Sequence, residues 1–286
     1  RDHVDSYLKI KKIKSKTQKY SSFINSINYL IKICGDKPIE EFNVTDSSAF
    51  RDFFVKKNRI STGRRYQSNI VNFFKTMLVY LDLEKKNPFD NVSWPTVEKN
   101  SIDKIFSNDE IKLIKNFIKN SLDDPYRILF GIMLDTGCSP TEIVGIELNE
   151  INLNQFNPYF IIRSNEVRKV VNIYKRRTVP LVGSSLKSVN ELLNISKNNF
   201  PFSYFFDDKF LFRNLDNKLN LILKKLIGNK TVQCFKYTLI QRLKDISCPE
   251  EVISEIIGIK KRSLFYQNDI NIEMKLSWLS QIASEN

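Results

Sequence analysis

The side chains that could do chemistry here are few, and most of them are basic. The only histidine is His3, so histidine metal sites and histidine general bases are excluded from the body of the chain. The four cysteines, Cys34, Cys138, Cys234 and Cys248, show no C-x-x-C spacing and read as reduced and buried. No metal and no cofactor is implied. Lysine and arginine number 45 against 32 aspartates and glutamates, a net charge of +13. A balance of that sign favours polyanions; nucleic acid is the commonest of these, with a membrane surface as runner-up. No apolar run is long enough to span a bilayer, and no signal peptide is read. A hydrophobic content of 42% with 27% charged residues indicates a globular chain rather than a disordered one.

The stretch Asp135–Ile146, D-T-G-C-S-P-T-E-I-V-G-I, organises the rest. Gly137 ends an apolar helical run, Leu129 to Leu134. Ser139 can cap a following helix, Pro140 suits its first position, and Glu142 follows at the capping-box spacing. Taken alone, this is a helical hairpin corner. Thr136, Gly137 and Glu142 also fit T-G-x-R-x-x-E, and in this the stretch resembles the first catalytic box of the tyrosine recombinases, the phage-integrase family. Ser139 stands at the arginine position. The segment N-E-V-R-K-V-V-N-I-Y-K-R-R-T-V-P-L-V-G is similar to the second box, where a lysine on a hairpin strand precedes R-x-V-P-L. Counting back from Val179 reaches Val171. Lys169 and Lys175 are near but out of register; Lys169, two positions away, keeps the face but sits higher on the hairpin. The third box, H-x-L-R-H, is matched by Gln233-Cys234-Phe235-Lys236-Tyr237, which puts Gln233 at the histidine and Lys236 at the second arginine. Ile259, after Gly258, falls at the histidine or tryptophan position. Tyr266 falls at the nucleophile, and Trp278-Leu279 resembles the terminal helix.

The resemblance implies phosphoryl transfer without a metal. A phenol oxygen attacks a phosphate, two arginines hold the non-bridging oxygens bidentately, and a lysine protonates the leaving oxygen. Ser139 is uncharged and short, and Val171 cannot donate a proton. Gln233 is no acid–base group near neutral pH, and Lys236 lacks the planar fork. Of the catalytic positions only Tyr266 is retained. The expectation is a recombinase-like protein that binds double-stranded DNA mainly through phosphates and does not cut it. Two alternatives remain open. One is an active, divergent recombinase in which Lys169, Lys175, Lys236 or Arg177 replaces the missing groups. The other is a basic helical regulator of recombinase assemblies. A homo-oligomer or a recombinase partner on DNA fits either, and a cytoplasmic, bacterial or phage-type setting associated with the nucleoid is expected.

The elements that must position these residues form two groups. Residues 1–92 read as an all-α bundle, with helices over Lys19–Ile33, from a cap near Thr45 or Asp46 through Val55, and after Ser61-Thr62-Gly63. Lys56, Lys57, Arg59, Arg64 and Arg65 cluster at one corner of this bundle as candidate phosphate contacts, joined in the second group by Lys169, Lys175 and Arg177. The resemblance makes the bundle a SAM-like core-binding domain that clamps DNA. Residues 93–104 read as a linker, and Ser107-x-x-Glu110 as a capping box opening the second domain, 105–286. Tyr159–Ile162, Val170–Ile173 and Arg177–Leu181 are strand-like. The fold expected is mainly α, with a small antiparallel β-sheet in a catalytic-type C-terminal domain.

Overall fold

A computed structural model describes residues 2–15, 17–96, 104–119, 124–196, 198–206, 214–259 and 271–284. The chain divides into two compact units, Arg1–Lys99 and Asn100–Asn286.

The first unit is helical: α1 (Val4–Ile10), α2 (Gln18–Cys34), α3 (Val44–Lys56) and α4 (Ile60–Tyr80). The broad apolar face of α4 forms the middle of the core, with Ile70, Phe73, Phe74, Met77 and Leu78 buried among Phe23, Phe50, Phe54 and Phe89. Two helix starts differ from the expected ones. The cap of α3 is Asn43, whose Oδ1 accepts from Thr45 N at 2.9 Å while Asp46 Oδ2 accepts from Asn43 N at 2.9 Å. Ser61, Thr62 and Gly63 lie inside α4 rather than ahead of it. The segment expected as linker starts with packed residues. Trp94 Nε1 donates to Gln67 Oε1, and Arg64 Nη2 donates to the Pro95 carbonyl at 2.9 Å. A Cβ on Gly63 would lie 2.4 Å from the Trp94 ring, so this seat requires a glycine. Cys34, expected to be buried, is half-buried.

The second unit contains α5 (Asn108–Lys119), α6 (Pro125–Thr136), α7 (Pro140–Val144), β1 (Ile151–Asn152), β2 (Tyr159–Ile162), β3 (Arg177–Pro180), α8 (Gly183–Ile195), α9 (Leu215–Ile227), α10 (Gln233–Asp245), α11 (Glu250–Ile257) and α12 (Ile272–Ser284). Every residue of α6 from Ile128 to Thr136 is buried. A helix apolar on all sides belongs at the centre of a core, and α5, α8 and α10 surround it. Its start is fixed by the Asp124 cap and by Pro125. Its packing on α8 is close: a Cβ on Gly131 would fall 1.9 Å from Ser188 Oγ. Asp135 ends α6 against the start of α8, where its Oδ2 accepts from Ser184 N at 2.7 Å and Ser185 N at 3.2 Å.

The three strands are antiparallel in the order β1-β2-β3, with Phe160 opposite Val179 and Ile162 opposite Arg177. The molecule is thus mainly α with a small antiparallel sheet. Membership of the sheet differs in one respect: Val170–Ile173 is not a strand, and Ile151–Asn152 takes the third place. Side chains hold residues 163–170 instead of a ladder. Asn165 Oδ1 accepts from Arg168 N at 2.8 Å, and Val170 N donates to Ser164 Oγ at 3.0 Å. Among the described residues no helix is long and apolar enough to cross a membrane.

Candidate functional site

The α6–α7 corner forms as its residues dictate. Gly137 closes α6 in the left-handed conformation, with φ of 61°. A Cβ there would also meet Ile257 and Leu239 at 3.0 Å, so conformation and close packing against α10 and α11 both demand glycine. Five residues on, the Glu142 carboxylate reaches back to the start of α7, where its Oε2 accepts from Ser139 N and from Ser139 Oγ, each at 2.8 Å.

A cleft of about 320 Å³ opens beside this corner, lined by Ser139, Gln233, Lys236 and Tyr237, with Lys175 on one side and Gly258 on another. Three of the positions singled out in the sequence, Ser139, Gln233 and Lys236, therefore meet in one place. The N-terminus of α10 supplies the last two: Gln233 is its first, exposed residue and Lys236 is half-buried one turn on. Burial pushes the Lys236 ammonium below the ordinary lysine range; Glu142 pulls it back, while Arg177 and Lys175 press it lower. Asp216 of α9 also lines the cleft, and burial raises its carboxyl. Tyr237, 41% exposed, carries the Lys104 ammonium 5.9 Å from its ring centroid.

Other positions lie elsewhere. Val171 is 89% exposed and does not line the cleft, and Lys169 is exposed and also absent from its walls. Lys175, judged out of register, does line it, because residues 173–175 form a 3₁₀ turn to which strand register does not apply. Ile259, 40% exposed, follows the lining pair Ile257 and Gly258 without joining it. Tyr266 lies outside the described residues. In the first unit Lys56, Lys57, Arg59, Arg64 and Arg65 are all exposed. Two of them cover rings, with Lys57 Nζ 4.8 Å from the Phe53 centroid and Arg65 Cζ 5.2 Å from that of Tyr66.

Arg177 requires a correction. Expected as a phosphate contact, it is buried, its side chain 1% exposed. Nη1 donates to Glu142 Oε1 at 2.9 Å, Nε to the Ile256 carbonyl at 2.9 Å, and Nη2 meets Cys138 Sγ at 3.3 Å. The guanidinium therefore ties β3, α7 and α11 together behind the cleft. Burial alone would raise the Glu142 carboxyl, but Arg177 and the Ser139 hydrogen bonds outweigh it and hold it below the usual carboxylate range. Burial pushes the Cys138 thiol up to about 11 despite the neighbouring guanidinium.

A second buried arginine escaped the sequence reading. Arg168 Nη2 pairs with the fully buried Glu150 at 2.7 Å, and Nη1 donates to the Glu142 carbonyl at 2.7 Å. Nothing in the string N-E-V-R-K distinguishes this arginine from a solvated neighbour; its partner is eighteen residues away. Among the described residues no group of three or more His, Cys, Asp or Glu could hold a metal ion.

No family model matches the chain, and no curated protein matches it. Solved structures do. One is the Tn1549 transposon integrase in complex with transposon right-end DNA, with a TM-score of 0.64 at 14% identity over 97% of this chain and 95% of that one. A lambda integrase tetramer bound to a Holliday junction gives 0.70 at 13% identity, over 92% and 75%. A lambda integrase dimer bound to a COC′ core site gives 0.69 at 12% identity, over 99% and 94%. The chain has the fold of these tyrosine recombinases along nearly its whole length.

Proposed function

We propose that this chain is a tyrosine-recombinase-like protein that binds duplex DNA through its phosphates and has lost strand cleavage. The integrases that share its fold are complexes with DNA, and a net charge of +13 suits the same ligand. The contacts would come from Lys56, Lys57, Arg59, Arg64 and Arg65 on the first unit and from Lys169, Lys175 and Lys236 on the second. The observation that carries the loss of chemistry is the engagement of the two arginines behind the cleft. Arg168 and Arg177 are buried and bonded to Glu150, Glu142 and backbone carbonyls, so neither can fork onto a phosphate. The cleft itself offers Lys175 and Lys236, which are point charges without the bidentate geometry that transition-state oxygens require. Removing a single oxyanion-type donor slows catalysis by on the order of 10²–10³-fold.

One observation favours a second reading: Lys175 and Lys236 line the same cleft, so a divergent enzyme using Tyr266 could draw on both. A nicked, labelled duplex pool separates the two readings when run on native and denaturing gels. Salt-sensitive shifts with no denaturation-resistant adduct support the proposed function. An adduct abolished in Tyr266→Phe supports the divergent enzyme, and no shift at any salt concentration defeats both.

A further inference from the structure

A second cavity in the C-terminal unit shares no wall residue with the cleft. It measures about 230 Å³ and lies between α5, the end of α6, the start of α8 and the end of α12. Three lysines converge on it from two helices: Lys115 and Lys119, one turn apart on α5, and Lys187 on α8. Lys115 is half-buried, while Lys119 and Lys187 are exposed. Among the described residues none of the three ammoniums has a hydrogen bond or an ion pair. Burial pushes the Lys115 ammonium below the ordinary lysine range; Asp135 pulls it back, while Arg242 and Lys119 press it lower. That Arg242 is a fourth cation close by. Its Nη1 is buried without a hydrogen-bond partner, 3.8 Å from Asp135 Oδ1.

Two acids face these four cations. Asp135 is already committed, since its Oδ2 accepts from Ser184 N and Ser185 N and its Oδ1 faces Arg242. The other is Glu191, one turn beyond Lys187. Positive charge is therefore in excess within a partly enclosed space, where salt screens it less than on an open surface. The α8 amides are occupied by Asp135, so the lysines and not the helix end would hold a ligand. An ammonium is a point charge with three donors and no preferred plane. Three of them select for high charge and many acceptor oxygens. A carboxylate brings one charge and two oxygens; a phosphate or diphosphate brings more of both. Duplex DNA also carries phosphates, but its backbone tracks over open surface, and this space is walled by four helices.

We propose that this cavity binds a small ligand through its diphosphate group, held by Lys115, Lys119 and Lys187. The site stands apart from the cleft and from DNA binding. The test is calorimetry on the full chain at constant ionic strength, with inorganic pyrophosphate, a nucleoside diphosphate and sulfate as probes. Pyrophosphate should saturate one site, and sulfate should bind more weakly. A nucleoside diphosphate that binds more tightly than pyrophosphate would identify a nucleotide as the source of the group; equal affinities would identify free diphosphate. Lys119→Gln with Lys187→Gln should weaken pyrophosphate by about tenfold or more, and so should Lys115→Gln. Lys119 and Lys187 are exposed, so the double variant should keep the wild-type thermal midpoint. Lys175→Gln with Lys236→Gln, on the cleft, should leave pyrophosphate affinity unchanged. The proposal is overturned by a wild type with no saturable binding, by sulfate binding as tightly as pyrophosphate, or by loss of binding in the cleft variant and not in the cavity variants. A duplex that displaces pyrophosphate, and whose own affinity falls in the Lys119/Lys187 variant, overturns it in favour of a DNA contact. A chain that binds pyrophosphate here and no DNA defeats the proposed function and leaves this site standing.

Discussion

The two sides of the cleft stand in opposite relations to water. Behind it, Arg168–Glu150 and Arg177–Glu142 are buried pairs whose hydrogen bonds run to specific carbonyls and carboxylates. In front of it, Ser139, Gln233, Lys175 and Lys236 border open space, and among these only Ser139 is tied closely to its support, through Glu142. The rear wall is over-determined: each charge there has a partner whose loss would strand the other in a poorly solvated interior. The front is permissive, because a side chain facing solvent can change type without stranding anything. A fold can therefore retain its supporting arginines while the groups facing a ligand drift.

The largest test of this contrast is Glu142→Gln. It leaves Arg177 buried without a countercharge and should lower stability by about 3–5 kcal/mol in urea unfolding. Adding Arg177→Met should restore much of that, because it removes the stranded charge; a single variant within about 0.5 kcal/mol of wild type would break the contrast. The same pair has a pH signature. The folded Glu142 carboxyl lies below its ordinary range, so its stabilisation is present above the unfolded carboxyl's pKa and is lost as pH falls through the folded value. An acid titration of stability should show that loss in the wild type and not in Glu142→Gln.

Next in size is Gly137→Ala, which forces a side chain into a left-handed backbone and to within 3.0 Å of Ile257 and Leu239. About 1–3 kcal/mol should be lost from the thermal or urea transition.

Lys236→Gln belongs to the front wall. Affinity for duplex DNA should fall several-fold and the salt slope by about 1. Stability should not fall, because burial lowers the Lys236 pKa and its ammonium opposes folding at pH values where it stays protonated. Anisotropy across alkaline pH should show wild-type affinity decaying at lower pH than an ordinary lysine would give, and that decay should be missing from the variant.

The smallest signal is one expected to be nil. With its thiol raised to about 11 and fully enclosed, Cys138 should resist iodoacetamide at pH 8 until the chain is denatured, as judged by peptide mass.

Local rules carried the sequence reading where structure is local. Gly137, the Ser139–Glu142 box and the Ser107–Glu110 box all depend on neighbours a few residues away, and all are where such rules put them. Two helix starts were misplaced locally, with Asn43 taking the α3 cap and α4 opening at Ile60; in the second unit the errors came where distant partners decide. Val170–Ile173 has the composition of a strand, yet Ser164 and Asn165 hold the preceding chain in turns. Arg177 and Lys175 lie two residues apart with similar charge, but one is buried on Glu142 and Ile256 while the other faces the cleft. Composition cannot separate them; only the packing of α11 and α7 on β3 does. The Ser139, Gln233 and Lys236 cluster was legible because the box resemblance supplied long-range pairing that spacing alone lacks.

The division of the Glu142 carboxylate constrains how this molecule can change. One oxygen serves Ser139, through its amide and its hydroxyl, and the other serves Arg177. Placing a guanidinium at position 139 would remove the hydroxyl and bring a second cation beside Arg177, to a carboxylate already committed. The unfolding midpoint of Ser139→Arg should therefore lie below that of the wild type. An arginine at position 139 and the present Ser139–Glu142 hydroxyl bond exclude one another, an incompatibility set by two oxygen atoms.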